Sequence, residues 1–428
     1  PIVYGEYIVP GAEQTLMFYV HYDGQPVDPT QWIDHEAFEP VLRHGKLDQG
    51  TGLPKPVGFP AVSQKYDPDW RIYARGASDD KAPILGILTA MDALKNAGLE
   101  PKNNLRFFFE GEEEISSPNL RSFAENNREL FQADAFFLCD GPLHFSNKPT
   151  LDFGVRGITS VEITVYGPNT SLHSGHYGNW APNPGMRLSK LLASMKDETG
   201  RVLIDGFYDS VIPLTKIEMD AISKVTAMDP QVKQNYSFSG TEGGGKSLIE
   251  MLQYPSFNVR GLSSGWVGRQ SRTIIPPTAT ASIDMRLVKN CQPRDMFNKV
   301  VKHIEKQGYH VVSEDPDHET RMKYPFIARV NGGGGYPAAK TSLDLPIIRQ
   351  VISTFSEFHN NDVEIIPSLG GSLPLYIFTD ILNLKIVGLP IANYDNNQHQ
   401  PNENIRIGHL WEGIETYAAF LMMEKNSR

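Results

Sequence analysis

Cysteine is almost missing from this chain: Cys139 and Cys291 are the only two, and they lie far apart in sequence. That pair supports neither a disulfide framework nor a cysteine metal site, and it leaves the cellular compartment open. Long apolar runs are missing too. None approaches the roughly 20 residues that would cross a bilayer, so no membrane span is expected. Basic charge is in deficit, with 40 Lys and Arg against 50 Asp and Glu for a formal net charge of −10. Nucleic acid is excluded as a partner, because phosphate binding needs a basic face. Internal repeats and low-complexity segments are absent as well. A chain of 428 residues with 40% apolar and 21% charged residues is then an ordinary globular protein, too long for one core and expected to form two domains.

What is present is a repeated design. The apolar run Thr15 to Val20 stops at His21, with Asp23 two places on. It reads as a buried strand that delivers an imidazole and its carboxylate partner to the carboxyl edge of a sheet. Arg75-Gly76-Ala77-Ser78-Asp79-Asp80-Lys81 opens a helix. Leu105 to Phe109 is a strand of aromatics that ends in Glu110, Glu112, Glu113 and Glu114. Ala135 to Cys139 again stops at an acid, Asp140, and Gln398-His399-Gln400-Pro401-Asn402-Glu403 lies near the C-terminus. Two His and at least three carboxylates thus sit where strands or loops end. Borderline-soft divalent ions such as zinc take imidazole nitrogen and carboxylate oxygen, and one carboxylate can bridge two of them.

The rest of the chain gives the frame for these stretches. Short strands flank the Pro10-Gly11 turn, and Asp28 to Asp69 reads as an extended surface excursion, with the part between Leu47 and Tyr73 at the rim of the site. From Asp80 the apolar positions Ile84, Ile87, Leu88, Met91 and Leu94 recur at the helical period, with Pro83 in the first turn and Gly98 closing the end. A polar helix around Leu120 to Phe131 and the strand Ala135 to Cys139 continue an alternating order, which implies a mixed, mostly parallel α/β sheet covered by helices. After Gly157 the pattern changes. Ser160 to Val165 and Ala279 to Val288 alternate like half-exposed antiparallel strands, with a helix from Pro293 to Gln307. This predicts a catalytic domain in two parts, 1–154 and 336–428, around an inserted α+β lid or dimerisation domain, 155–335. The Gly-rich run Asn331 to Gly335 reads as the return linker. Helices at Ile347 to Phe358 and His409 to Met423, with the strand Leu384 to Leu389 between them, complete the first domain.

Each site residue also has an ordinary reading. A His after a strand is most often a hydrogen-bonded structural residue, Asp79 could be a helix cap, and Asp140 could form a turn before Gly141-Pro142. Acids at a strand end are usually solvated, and a strand arginine such as Arg286 is usually paired at the surface.

Taken in order, the motifs HYD, RGASDDK, EGEEEISS, LHSG, GGS and HQPNE reverse that balance. From about His21 to the last helix the chain resembles the dinuclear zinc exopeptidases and deacylases that include carnosinase, glutamate carboxypeptidase, aminoacylase and succinyl-diaminopimelate desuccinylase, and within them the dipeptidase branch. The resemblance implies His21, Asp79 and Asp140 on one ion and Asp79, Glu114 and His399 on the other, with Asp79 bridging and followed by a cis peptide bond. It implies Asp23 as the holder of the His21 ring and Glu113 as general base. A register one residue earlier would move those two glutamate roles to Glu112 and Glu113, but Ser117 anchors the first choice. By the same resemblance His173 of Leu172-His173-Ser174-Gly175 reaches the partner subunit's site and binds the substrate carbonyl, while Arg286 and Gly371-Ser372 receive the substrate carboxylate. His176 is the alternative to His173.

The expected activity is metal-dependent hydrolysis of an amide bond in a small substrate with a free carboxylate, by a homodimer joined through the inserted domain. The ions are expected to be zinc, with manganese or cobalt as alternatives. An N-acyl amino-acid deacylase using the same metal site, and a non-catalytic binding protein on this fold, are the competing functions. Gly24, Ala82 and Ser116 depart from the pattern without touching a ligand, which bears on substrate preference. The chain begins at Pro1, and the resemblance leads one to expect a helix-containing segment ahead of it, with which any targeting signal would have gone.

Overall fold

The computed structural model describes residues 1–32, 34–47, 52, 54–61 and 65–425. A seven-stranded sheet runs in the order Ile2–Tyr7, Asn104–Glu110, Thr15–His21, Ala135–Leu138, Ile386–Gly388, Thr150–Asp152, Glu364–Ile366. The first pair is antiparallel, as is the contact of Gly388 with Asp152, and the other neighbours are parallel. The strand Thr15–His21 is apolar from Leu16 to Val20 because both its faces are covered. Leu16, Phe18 and Val20 pack with Ile87, Ala90 and Tyr417 on one side, while Met17 and Tyr19 pack with Phe108, Phe136 and Phe378 on the other. The helices Lys81–Asn96 and Ile407–Leu421 close the first face. They approach so closely that a Cβ on Gly86 would lie 2.8 Å from the Tyr417 ring.

A second sheet, in the order Ser256–Ser263, Thr278–Leu287, Gly157–Tyr166, Ile327–Tyr336, His310–Val312, has its own core. Val161, Ile163, Ala281, Ile283 and Met285 meet Leu188, Leu191, Met296, Val300 and Ile304 from the helices Pro184–Ala193 and Pro293–Lys306. The chain passes between the two sheets beside the short antiparallel pair Gly154–Val155 with Ala339–Lys340.

One expectation is corrected and another refined. The Gly-rich run Asn331 to Gly335 is not a linker but the end of strand Ile327–Tyr336, paired to Gly157–Tyr166 with a bulge between Gly332 and Gly335. Gly332 and Gly335 adopt φ of 132° and 125°, and a Cβ there would stand 2.1 and 2.0 Å from the carbonyl oxygens of Ser160 and Ile158. Glycine serves here to let two backbones touch. The stretch from Asp28 to Asp69 is exposed or half-buried over most of its described residues, as a surface excursion would be, but it is tied into the fold at one place. Val41–Arg43 pairs with Arg71–Tyr73, which pairs in turn with Asn404–Arg406, and Trp32, Ala37, Leu42 and Arg43 are buried. Of the rim expected between Leu47 and Tyr73, residues 48–51, 53 and 62–64 lie outside the described residues.

Candidate metal centre

Parallel pairing puts the ligand candidates at one edge. His21 lies opposite Glu110 in register, and Ala135–Leu138 runs parallel on the other flank, so His21, the turn after Glu110 and Asp140 emerge together. The turn Glu113–Ile115 is a single 3₁₀ turn closed by Ser116 in the left-handed region, φ 70°. Asp79 stands just before the helix Lys81–Asn96, and its bond to Asp80 is cis, as the resemblance implied. His399 enters from the C-terminal loop, also at positive φ, 60°.

The two imidazoles converge on one carboxylate. His21 Nε2 lies 3.0 Å from Asp79 Oδ1, and His399 Nε2 lies 3.0 Å from Asp79 Oδ2. Neither Asp79 oxygen has a hydrogen-bond partner, nor do Glu114 Oε1, Asp140 Oδ1 and Asp80 Oδ1, although all are buried. His399 Nε2 is 3.3 Å from Glu114 Oε2, and His21 Nε2 is 3.8 Å from Asp140 Oδ1. Buried polar atoms that approach without hydrogen bonding are costly unless something else satisfies them. Cations fit that demand. His21, Asp79 and Glu114 offer ligand atoms all within 4.8 Å of one another, and so do His21, Asp80 and Asp140.

The electrostatics agree. Burial opposes a charge on His21, yet Asp140, Asp79 and Asp80 together hold its pKa up at about 12. Burial pushes the Glu113 carboxyl up to about 8, with Asp140 adding and His21 opposing. A crowd of acids at a dry edge calls for positive charge at its centre. Glu113 Oε2 faces His21 Nε2 at 4.0 Å.

The surrounding acids take other work. Asp23 Oδ1 faces His21 Nδ1 at 3.3 Å, and its other oxygen accepts from the backbone N–H of Glu114 at 3.0 Å. Glu110 is buried and accepts from Tyr19 Oη, while Glu112 accepts from Asn119 Nδ2 at 3.1 and 2.9 Å.

The inserted part is less close. Exposed His173 accepts from the N–H of Gly175, packs its ring 4.7 Å from that of His176 and pairs in a short antiparallel ladder with Ile274, all within the part between the two sections of the first sheet. Arg286 does meet the Gly-Gly-Ser loop: Nη1 donates to Ser372 Oγ at 2.6 Å. Ser372 Oγ in turn donates to Gly157 O, Tyr336 Oη donates to Ser372 O at 2.9 Å, and Arg156 N donates to Gly371 O at 2.9 Å.

Two residues were passed over in sequence. Asp80 is 1% exposed, accepts from the N–H of His21 at 3.2 Å and makes no cap bond to its own helix. Its carboxyl belongs to the second ligand group, where Asp79 was expected beside His21 and Asp140. Its place directly after Asp79 was the available signal. Glu403 is wholly buried under the Arg75 to Asp79 loop.

Comparison with known proteins decides the family. The model of peptidase family M20/M25/M40 matches residues 53–423. The chain belongs to this family. The yeast (Saccharomyces cerevisiae) Cys-Gly metallodipeptidase DUG1 is 27% identical over 440 residues, covering 100% of this chain and 82% of the relative. The human (Homo sapiens) Beta-Ala-His dipeptidase is 26% identical, covering 99% of this chain and 77% of the relative. Among solved structures, the M20 family metallo-carboxypeptidase Sso-CP2 from Sulfolobus solfataricus is 30% identical with a TM-score of 0.71, covering 99% of this chain and 87% of that one. The chain is therefore a metal-dependent hydrolase of the dipeptidase branch of M20, with the mixed α/β fold expected from the sequence. No helix among the described residues is long and apolar enough to cross a membrane.

Proposed function

We propose that this M20 hydrolase cleaves the peptide bond of dipeptides or short peptides with a free C-terminal carboxylate. The observation that carries the reading is the single buried Asp79, whose two unpartnered oxygens are each met by a His ring at 3.0 Å. His21, Asp79, Asp140, Glu114 and His399 would hold two divalent ions, zinc by the nitrogen and oxygen donor set, with Asp80 close enough to His21 and Asp140 to join them. Such ions polarise the scissile carbonyl and lower the pKa of nearby water.

The chain's own residues do the rest. Glu113 takes a proton from the attacking water as its oxygen bonds to the carbonyl carbon. When the C–N bond breaks, Glu113 returns that proton to the leaving amine. Asp23 keeps the His21 ring oriented. Arg286, with the Gly371-Ser372 loop, receives the substrate carboxylate, and a guanidinium fork suits that planar group. His173, donated by a second copy through an inserted domain spanning 155–335, hydrogen-bonds the carbonyl oxygen as negative charge develops on it. The dimeric arrangement is supported by the exposure of His173 and by its lack of contact with the metal centre of its own chain among the described residues.

The deciding experiment is a hydrolysis screen of dipeptides against N-acyl amino acids on zinc-reconstituted protein. Dipeptides cleaved with the higher kcat/KM support the reading. Preference for N-acyl amino acids would make the chain a deacylase, and no turnover of any amide would make it a binding protein.

A further inference from the structure

Glu403 is 0% exposed, and its carboxyl group is reached by five donors from one short loop. Its Oε2 accepts from Arg75 Nη1 at 2.7 Å and from the N–H of Gly76 at 3.1 Å. Its Oε1 accepts from the N–H of Ser78 at 2.9 Å, from Ser78 Oγ at 3.1 Å and from the N–H of Asp79 at 2.9 Å. Its own carbonyl accepts from the N–H of Ala74. Three backbone donors of one loop, the N–H groups of Gly76, Ser78 and Asp79, turn toward this one carboxylate while that of Ala77 donates to Ala74 O, and an apolar side chain in its place would leave all three unsatisfied. The loop is also braced from outside, since Arg75 lies over the Trp32 ring and its N–H donates to Ala37 O.

The other end of the connection is the His399 loop. Asn404 N donates to Asn396 O at 2.8 Å, closing that loop at its base, and Glu403 sits just inside the closure. One carboxylate therefore joins the loop that carries Asp79 to the loop that carries His399. We propose that Glu403 is the positioning residue of the metal centre: by holding the backbone N–H of Asp79 from the His399 loop, it fixes how the two Asp79 oxygens meet His21 and His399.

The proposal rests on Asp79 as the shared ligand, and its test separates the two. Glu403→Gln keeps size but turns one oxygen into an NH₂ group. In either orientation that group faces donors instead of accepting from them. Zinc affinity is measured by competition with a chromophoric chelator, on protein shown to be folded by circular dichroism. Wild type should bind two equivalents and Asp79→Ala should lose both; if Asp79→Ala keeps both, the shared-ligand reading fails. Given that baseline, Glu403→Gln should weaken both equivalents by 10- to 100-fold, the range for groups that orient metal ligands, and should shift the visible bands of the cobalt-substituted protein. Glu403→Asp, which keeps the charge, should recover part of the affinity. Wild-type affinity and an unshifted cobalt spectrum in folded Glu403→Gln would overturn the proposal. Should Glu403→Gln not fold, Ser78→Ala removes one of the five donors and is read by the same titration. Both ions should bind more weakly than in wild type, by less than the 10- to 100-fold loss expected of Glu403→Gln because four of the five donors remain, and unchanged binding would overturn the proposal equally.

Discussion

Replacing Glu113 and Glu114 separately by Gln divides two roles that adjacent glutamates could exchange. Glu114 is committed: Oε2 lies 3.3 Å from His399 Nε2 and accepts from Gln25 Nε2 at 2.7 Å, while Oε1 is buried without a partner. Its neighbour faces His21 only at 4.0 Å and is free to exchange a proton. Glu113→Gln should therefore keep two equivalents of metal and lose 10²- to 10⁴-fold in kcat, the scale of general-base loss. At 1.36 kcal/mol per decade that adds about 3 to 5 kcal/mol to the barrier. Glu114→Gln should instead lose metal, and added zinc should restore part of its activity. The assay is dipeptide turnover in parallel with elemental analysis after dialysis. A Glu113→Gln variant that loses metal while Glu114→Gln retains it would place the roles one residue earlier, and near-normal turnover by Glu113→Gln would refute its role as base.

Mixing the inactive variants Glu113→Ala and His173→Ala tests donation between subunits. With random exchange about a quarter of the sites should recover, because a mixed dimer pairs an intact Glu113 with an intact His173 once; exchange verified by mass spectrometry without recovery argues for action within one chain. His409 should make folding sensitive to acid. Burial, aided by Arg406 and Arg71, depresses its pKa to about 4, and its Nε2 lies 3.1 Å from Arg406 Nη1. A depressed histidine favours the native state above its unfolded pKa of 6.5, and that contribution, at most about 3 kcal/mol, is lost as pH falls from 6.5 toward 4. Denaturant titrations across that window should show a shallower pH dependence in His409→Gln than in wild type. Gly332→Ala should lower the thermal midpoint by several degrees or prevent folding, since its Cβ would meet Ser160 O at 2.1 Å; an unchanged midpoint would show that the bulge yields.

Three of the candidate ligands were legible from a local pattern, since His21, Glu114 and Asp140 stand at or just past the end of an apolar run, whereas Asp79 and His399 were reached only through the motifs RGASDDK and HQPNE. Helix Lys81–Asn96 was legible from its period and from Pro83 and Gly98. Glu403 was not, because its partners lie 324 to 328 residues away and nothing beside it in sequence announces a buried anion. The same holds for the stretch after Asp28, whose strand Val41–Arg43 finds its partner at Arg71–Tyr73. Gly332 and Gly335 misled for another reason. Glycine marks both a linker and a close backbone approach, and only the neighbouring strand tells them apart.

The contacts around Ser372 separate chemistry from recognition. Every proposed metal ligand stands at the edge of the seven-stranded sheet or on a loop beside it, and none comes from the segment between Val155 and Tyr336. The groups proposed to hold the substrate carboxylate are different. Arg286 belongs to the second sheet, while Ser372 is tied by hydrogen bonds to Gly157 and Tyr336, at the two ends of that segment, and Gly371 to Arg156. The proposed carboxylate-holding groups are therefore tied to the second sheet and its two ends, whereas Asp79, His21 and His399 belong to the edge of the first.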